Sequence, residues 1–288
     1  MKPRRESPRL LLGARSLDGL SRASNDRLIE VSTRYREPES LAVTISKALD
    51  AGAEAVLAAP SPTLRAALAE LRRVVPLAAV LPALDAHDRS EFEPDLDALI
   101  QRRHRVAGAG TRMRGGIAGL GRLPLISHDD WTAQLPELIE LEAAAVRPGE
   151  LAAVVLAVEI TDRALAAGQR ALFESFCRFV RGRFRVNAAF ETRNLGWLLA
   201  RLDEWQIVPD FVVGPVNGRG LGMKPTAEET LARLRSSSIR VVATELRAGG
   251  LVPLAEAARF AREHGAHGVA PDLTDLDDVA VEIKALAG

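Results

Sequence analysis

Three glutamates stand where apolar runs end. Glu159 closes AAVVLAVE, Glu191 closes RVNAAFE, and Glu245 lies near the end of RVVATEL. Glutamate is depleted in strands, and a carboxylate at the end of a buried strand is costly unless it is paired, ligated or used. Carboxylates that converge do one of two things. They force one of the group to hold a proton, which makes a general acid/base, or they bind a hard divalent cation. Glu159, Glu191 and Glu245 are therefore the candidate catalytic residues, with Glu191 as the acid/base and Asn217 as a hydrogen-bonder that orients substrate. In the metal-assisted alternative the same three glutamates, with His87 adding a nitrogen ligand, hold Mg, Mn or Zn. The plain alternative is that the glutamates turn outward and pair with arginines on neighbouring loops.

Anion-binding candidates form a second set. Arg247-Ala-Gly249-Gly250 precedes the helical run LVPLAEAARF, and glycines at a helix start let backbone N–H groups approach a negative charge. Arg15 follows the first apolar run, and Arg112 and Arg114 lie in the glycine-rich stretch AGAGTRMRGGIAGLGR. Lys224 sits in a loop of GPVNGRGLGMKP, too far out for a Schiff-base role, which needs a dry pocket. Cys177, the only cysteine, falls in LFESFCRFV and reads as a buried thiol on a helix face. No HExxH, CxxC or P-loop occurs.

What would hold these residues in place is a repeating alternation of short apolar runs and longer segments of helical period. Eight strand candidates begin at Arg9, Glu54, Pro76, Ala152, Arg185, Asp210, Arg240 and His267. Helical spacing covers roughly 39–51, 63–74, 130–146, 162–180, 195–205, 227–235, 251–264 and 276–286. Nearly unbroken apolar strands alternating with helices are the mark of a parallel sheet covered on both faces. Eight such units predict one (β/α)8 TIM barrel over 1–288, with any site at the carboxyl ends of its strands. A Rossmann sheet is the alternative, but no GxGxxG follows the first strand.

Two segments exceed what the barrel needs: an extended loop after the first strand and an insertion over 84–128 between the third and fourth. The insertion reads in one of two ways: as a mobile lid whose Arg112 and Arg114 meet an anionic ligand, or as a solvated or disordered loop at the amino face whose arginines touch nothing. Several polar residues read as helix caps: Ser61, Thr226 with Glu229, Asp130, Asp162, and Thr274 with Asp277.

The last third of the chain resembles a group of microbial TIM-barrel proteins. The resemblance is carried by GPVNGRGLGMKPT and VVATELRAGGLVPLAEAA. It implies a barrel, it groups Asn217, Gly222, Met223 and Pro225 into one shaped loop, and it implies no particular reaction.

Composition narrows the classes. The 288 residues carry 38 basic and 38 acidic side chains, so no net charge recommends nucleic acid or an anionic membrane as a partner. No apolar run reaches membrane-spanning length and no secretory leader is evident, so a cytoplasmic location is expected. Taken together, the residues suggest an enzyme of isomerase or lyase type. It would work on a small polar carbonyl or sugar-like molecule, one that could be anionic. A metal-free phosphosugar enzyme, with Arg247, Gly249 and Gly250 on the phosphate, and a non-catalytic binding barrel are the alternatives. Homo-oligomerisation is left open.

Overall fold

The computed structural model describes residues 6–13, 29–30, 33–83, 131–147, 150–271 and 278–287. Eight parallel strands form one sheet in the order in which they occur in the chain. They are β1 (Leu11–Gly13), β2 (Ala55–Ala58), β3 (Leu77–Leu81), β4 (Leu151–Leu156), β5 (Asn187–Glu191), β6 (Phe211–Pro215), β7 (Val241–Thr244) and β8 (Gly268–Val269). Val154 pairs with Ala188, as expected for adjacent fourth and fifth strands. The sheet closes on itself through a parallel bridge between Leu10 and Val269, where the Val269 N–H donates to the Arg9 carbonyl at 2.8 Å. This is the (β/α)8 barrel, and it has no open sheet edge of the kind a Rossmann fold would show.

The helices follow the strands. They are α1 (Pro38–Asp50), α2 (Pro62–Glu70), α3 (Trp131–Ala143), α4 (Val158–Ala166), α5 (Arg170–Arg183), α6 (Leu195–Trp205), α7 (Ala227–Ser236), α8 (Leu254–Glu263) and α9 (Val279–Ala287). Ser61 caps α2, its oxygen accepting from the Leu64 N–H at 3.1 Å, and Thr226 caps α7 through the Glu229 N–H at 3.1 Å. The single helix expected over 162–180 is in fact two. The first starts earlier, at Val158, and the break between them falls at Gly168, which has φ +64°. A left-handed glycine just past a helix end is a regular stop signal. Asp162 therefore lies inside α4 and caps nothing.

Side-chain alternation fixes which strand residues face the barrel axis. Phe190 packs outward on α5, its ring 5.0 Å from Phe173 and 5.4 Å from Phe176. With a period of two, Asn187, Ala189 and Glu191 point inward. The register carries this parity around the barrel. Ala189 aligns with Phe211, Glu191 with Val213, and Val213 with Val242. Small residues at Ala55, Ala78, Ala153 and Ala189 share this inward parity with the fully buried Phe211. The seam between β8 and β1 is tight. A Cβ on Gly268 would come within 2.7 Å of the Arg9 carbonyl oxygen and 2.9 Å of its Cα, so closure at this point requires glycine.

The insertion over 84–128 and the 14–28 loop lie outside the described residues, as do Arg15, His87, Arg112, Arg114, Asp130, Thr274 and Asp277. The lid expectation therefore falls outside them too. Among the described residues, no helix is long and apolar enough to cross a membrane.

Candidate functional site

Glu191 is the last residue of β5, faces the barrel axis and is only 4% exposed. It opens the carboxyl mouth of the barrel, beside Val213 in register. One position further, Thr192 turns the chain away from the strand. Its N–H donates to the Val213 carbonyl at 2.9 Å, so the β5–β6 ladder continues one residue past Glu191.

The loop that follows is gripped from α4. Thr192 Oγ1 donates to Asp162 Oδ1 at 2.5 Å, and the Arg193 N–H donates to Asp162 Oδ2 at 3.1 Å. Asn194 closes the turn by donating its N–H to Thr192 Oγ1 at 2.8 Å. Glu159, one turn earlier on α4, pairs with the Arg193 guanidinium at 3.4 Å. Sequence reasoning placed Glu159 on a strand end. In the structure β4 stops at Leu156, and Glu159 rides on the first turn of α4, where its carboxylate meets Arg193 at the rim of the loop. Asp162, read from the sequence only as a cap, is the residue that fixes where Glu191 emerges. No local signal announces this, because its partners lie 30 residues away.

Burial pushes the Asp162 carboxyl above its ordinary value of 3.8, against the opposing pull of Thr192, the Arg193 N–H, the Asn194 side chain and the Arg193 charge. A raised folded-state value means the folded protein holds this proton more tightly than the unfolded chain does. The contribution of the protonated group is complete below 3.8 and declines as pH rises through the folded value. Asp162→Asn is expected to abolish that decline, measured as the difference in unfolding free energy between wild type and variant across that window. Asp162→Ala leaves the Thr192 hydroxyl and the Arg193 N–H without their acceptor. It is expected to lower stability at neutral pH by about 2 kcal/mol in denaturant unfolding.

Asn217, after β6, is 1% exposed. Its side-chain oxygen accepts from the N–H groups of Arg219 at 3.2 Å and Leu221 at 2.9 Å, and its Nδ2 donates to the Leu221 carbonyl at 2.9 Å. Its own N–H points at Met223 Sδ, 3.4 Å away. Asn217 is thus the internal tie of the loop running to Pro225, and Met223 is buried beneath it. The grouping of Asn217, Gly222, Met223 and Pro225 into one shaped loop holds. The Asn217 bonds use the side-chain oxygen and one hydrogen of Nδ2 to shape the loop, and the second Nδ2 hydrogen is the donor with which the expected substrate role would be served. Lys224 is exposed, and its carbonyl accepts from the Gly196 N–H at 2.9 Å.

Beyond β7 the backbone takes an unusual course. Glu245 (φ +51°) and Ala248 (φ +50°) adopt the left-handed region without being glycine, and Gly249 and Gly250 follow in it. Such conformations are uncommon for residues with a Cβ and persist only where the surroundings impose them. Here the Ala248 N–H donates to the Glu245 carbonyl and the Gly250 N–H to the Arg247 carbonyl, both at 3.0 Å. Arg247 donates from Nε to the Val252 carbonyl at 3.2 Å and pairs with Glu282 of α9 at 3.5 Å. It pins this loop to the last helix. Helix α8 begins at Leu254, several residues past the glycines, so Gly249 and Gly250 belong to a turn and are not at a helix N-terminus.

The expected metal set of Glu159, Glu191 and Glu245 with His87 is only partly described, since His87 lies outside the described residues. Among the described residues no group of three or more His, Cys, Asp or Glu side chains is placed to hold a metal ion. The physical reason is visible at Glu159, which α4 carries to the rim and Arg193 neutralises. Cys177 is buried on α5 with its thiol pushed up to about 12 by burial, as befits an inert core residue.

No protein-family model matches the chain, and no curated protein matches it either. Among solved structures it is similar to an aldo/keto reductase from Brucella melitensis, at 14% identity and a TM-score of 0.46, over 96% of this chain and 85% of that one. A likeness at that level says nothing about reaction or cofactor, and the barrel assignment rests on the strand order and register described above.

Proposed function

We propose that this barrel is an enzyme of isomerase or lyase type, acting on a small polar carbonyl or sugar-like substrate, with Glu191 as its general acid/base. One observation carries the reading. Glu191 is a buried carboxyl that faces the axis at the carboxyl end of a barrel strand, the end from which barrel enzymes draw their catalytic groups. A carboxylate so placed can take a proton from the carbon next to a bound carbonyl and return it at the neighbouring position, shielded from bulk water. The Asp162–Thr192 clamp supports the reading, because general-base transfer needs the base held within hydrogen-bond reach of the proton it moves. Glu245 on the β7 rim is the second carboxyl of the proposal, and Arg15, Arg112 and Arg114 are its proposed substrate contacts.

The phosphosugar alternative has less behind it. Arg247 is engaged by Val252 and Glu282, and the Gly250 N–H by the Arg247 carbonyl.

Proton abstraction next to a carbonyl leaves a signature that does not require the product to be known. Incubated in heavy water with small aldoses, ketoses and keto acids, the enzyme is expected to wash deuterium into one of these classes, seen by proton NMR as loss of the adjacent C–H signal. Wash-in with none of them overturns the reading in favour of a binding barrel.

A further inference from the structure

At the opposite end of the barrel the amino face carries a cleft of about 320 Å³, formed where β1, β2, α8, β8 and α9 meet. That volume lies at the small end of the range for small-molecule sites. Three basic side chains from distant parts of the chain line it, Arg9, Arg262 and His267, together with a single carboxylate, Glu54. Among the described residues, Glu54 forms no ion pair with them. Its Oε2 accepts the backbone N–H of Arg9 at 3.0 Å, and among the described residues none of the three basic groups forms an ion pair. The Arg262 guanidinium donates to the Leu286 carbonyl, a neutral acceptor. His267 meets the Ser7 carbonyl at 3.1 Å through Nε2. A carbonyl can only accept, so Nε2 carries the hydrogen and Nδ1 remains as the ring's other polar atom.

We propose that this cleft is a binding site for a small anion bearing a phosphoryl or carboxylate group. The guanidinium fork matches both oxygen geometries, and two arginines against one carboxylate leave the cleft with surplus positive charge. The position also gives occupancy a consequence. The cleft spans the seam at which the barrel closes, and β8 contributes only two residues there. An anion bridging Arg9, before β1, and Arg262, on α8, would tie the seam together. The site is separate from the carboxyl mouth and does not depend on the chemistry proposed for Glu191.

The test uses the full chain with inorganic phosphate and malonate as probes, titrated calorimetrically at constant low ionic strength, with melting temperatures recorded in parallel. Saturable binding of at least one probe is expected with Kd on the order of 1 mM or tighter, weakening as salt is raised, and the tighter probe identifies the ligand class. The Arg9 side chain is exposed and engages no other described residue, so Arg9→Gln is expected to leave the ligand-free melting temperature unchanged while weakening binding at least fivefold. Glu54→Gln keeps an oxygen for the Arg9 N–H but removes the opposing charge, and is expected to tighten binding. Failure of both probes to bind, affinity unaffected by Arg9→Gln, or both variants shifting affinity in the same direction overturns the proposal.

Discussion

Replacing Phe190 with alanine is expected to destabilise the protein by about 3–5 kcal/mol, the range for removing a large aromatic from a packed core. Phe190 is fully buried at the end of β5. Its ring sits edge-on to Phe173 at 5.0 Å and against Phe176 at 5.4 Å, and Phe173 in turn meets Trp205 of α6 at 5.5 Å. These rings join three elements, β5, α5 and α6, so a cavity there cannot collapse without moving two helices. Aromatic pairing adds about 0.5–1.5 kcal/mol per pair beyond the buried area, and alanine forfeits both contacts. Phe190→Leu keeps much of the volume and is expected to cost less than half as much. Denaturant unfolding of the two variants beside wild type measures both effects. A loss below about 1 kcal/mol for the alanine variant would mean that the cluster does not anchor β5. Because Phe190 and Glu191 are consecutive, the same packing that anchors the strand also sets the height at which the carboxyl emerges.

Much of this barrel is legible in the residues, for a reason that also explains the errors. A strand covered on both faces must be apolar throughout, so LAAVVL and FVVGP stand out without any knowledge of their partners. The same rule blurs the point where a strand stops. Glu159 is flanked by apolar Val158 and Ile160, both buried on α4, and periodicity over so few residues cannot separate the two states. The backbone turn at Ala157 decides it and leaves no composition signal. The break at Gly168 was readable as a helix stop, but apolar spacing on both sides suggested continuity. At the site, Glu191 was legible because a carboxylate ending an apolar run is expensive. Its supports were not. Asp162 with Thr192, and Arg247 with Glu282, are pairings across 30 and 35 residues that only the closed barrel creates. Asn217 shows the opposite case. Its loop is recognisable as a unit, and the bonds from its side chain to the Leu221 backbone follow from the readiness of short polar side chains to bond the chain a few residues on.

Glu191→Gln carries the largest functional expectation. The substitution is nearly isosteric and keeps one oxygen acceptor, so the packing around β5 has no steric reason to change. What it removes is the ability to take up and release a proton. General acid–base catalysis typically contributes about 10²–10⁴-fold, so turnover is expected to fall by roughly 10³-fold, about 4 kcal/mol of transition-state stabilisation. Loss through misfolding would instead appear as a lowered unfolding midpoint. The measurement that bears most directly on the role of Glu191 is the rate of deuterium wash-in for wild type and Glu191→Gln, side by side, on the carbonyl substrate that exchanges, with unfolding midpoints recorded on the same samples. A fall of about 10³-fold at an unchanged midpoint is the expected result. Wash-in that persists within about tenfold of wild type would contradict it, and would show that Glu191 is not the base.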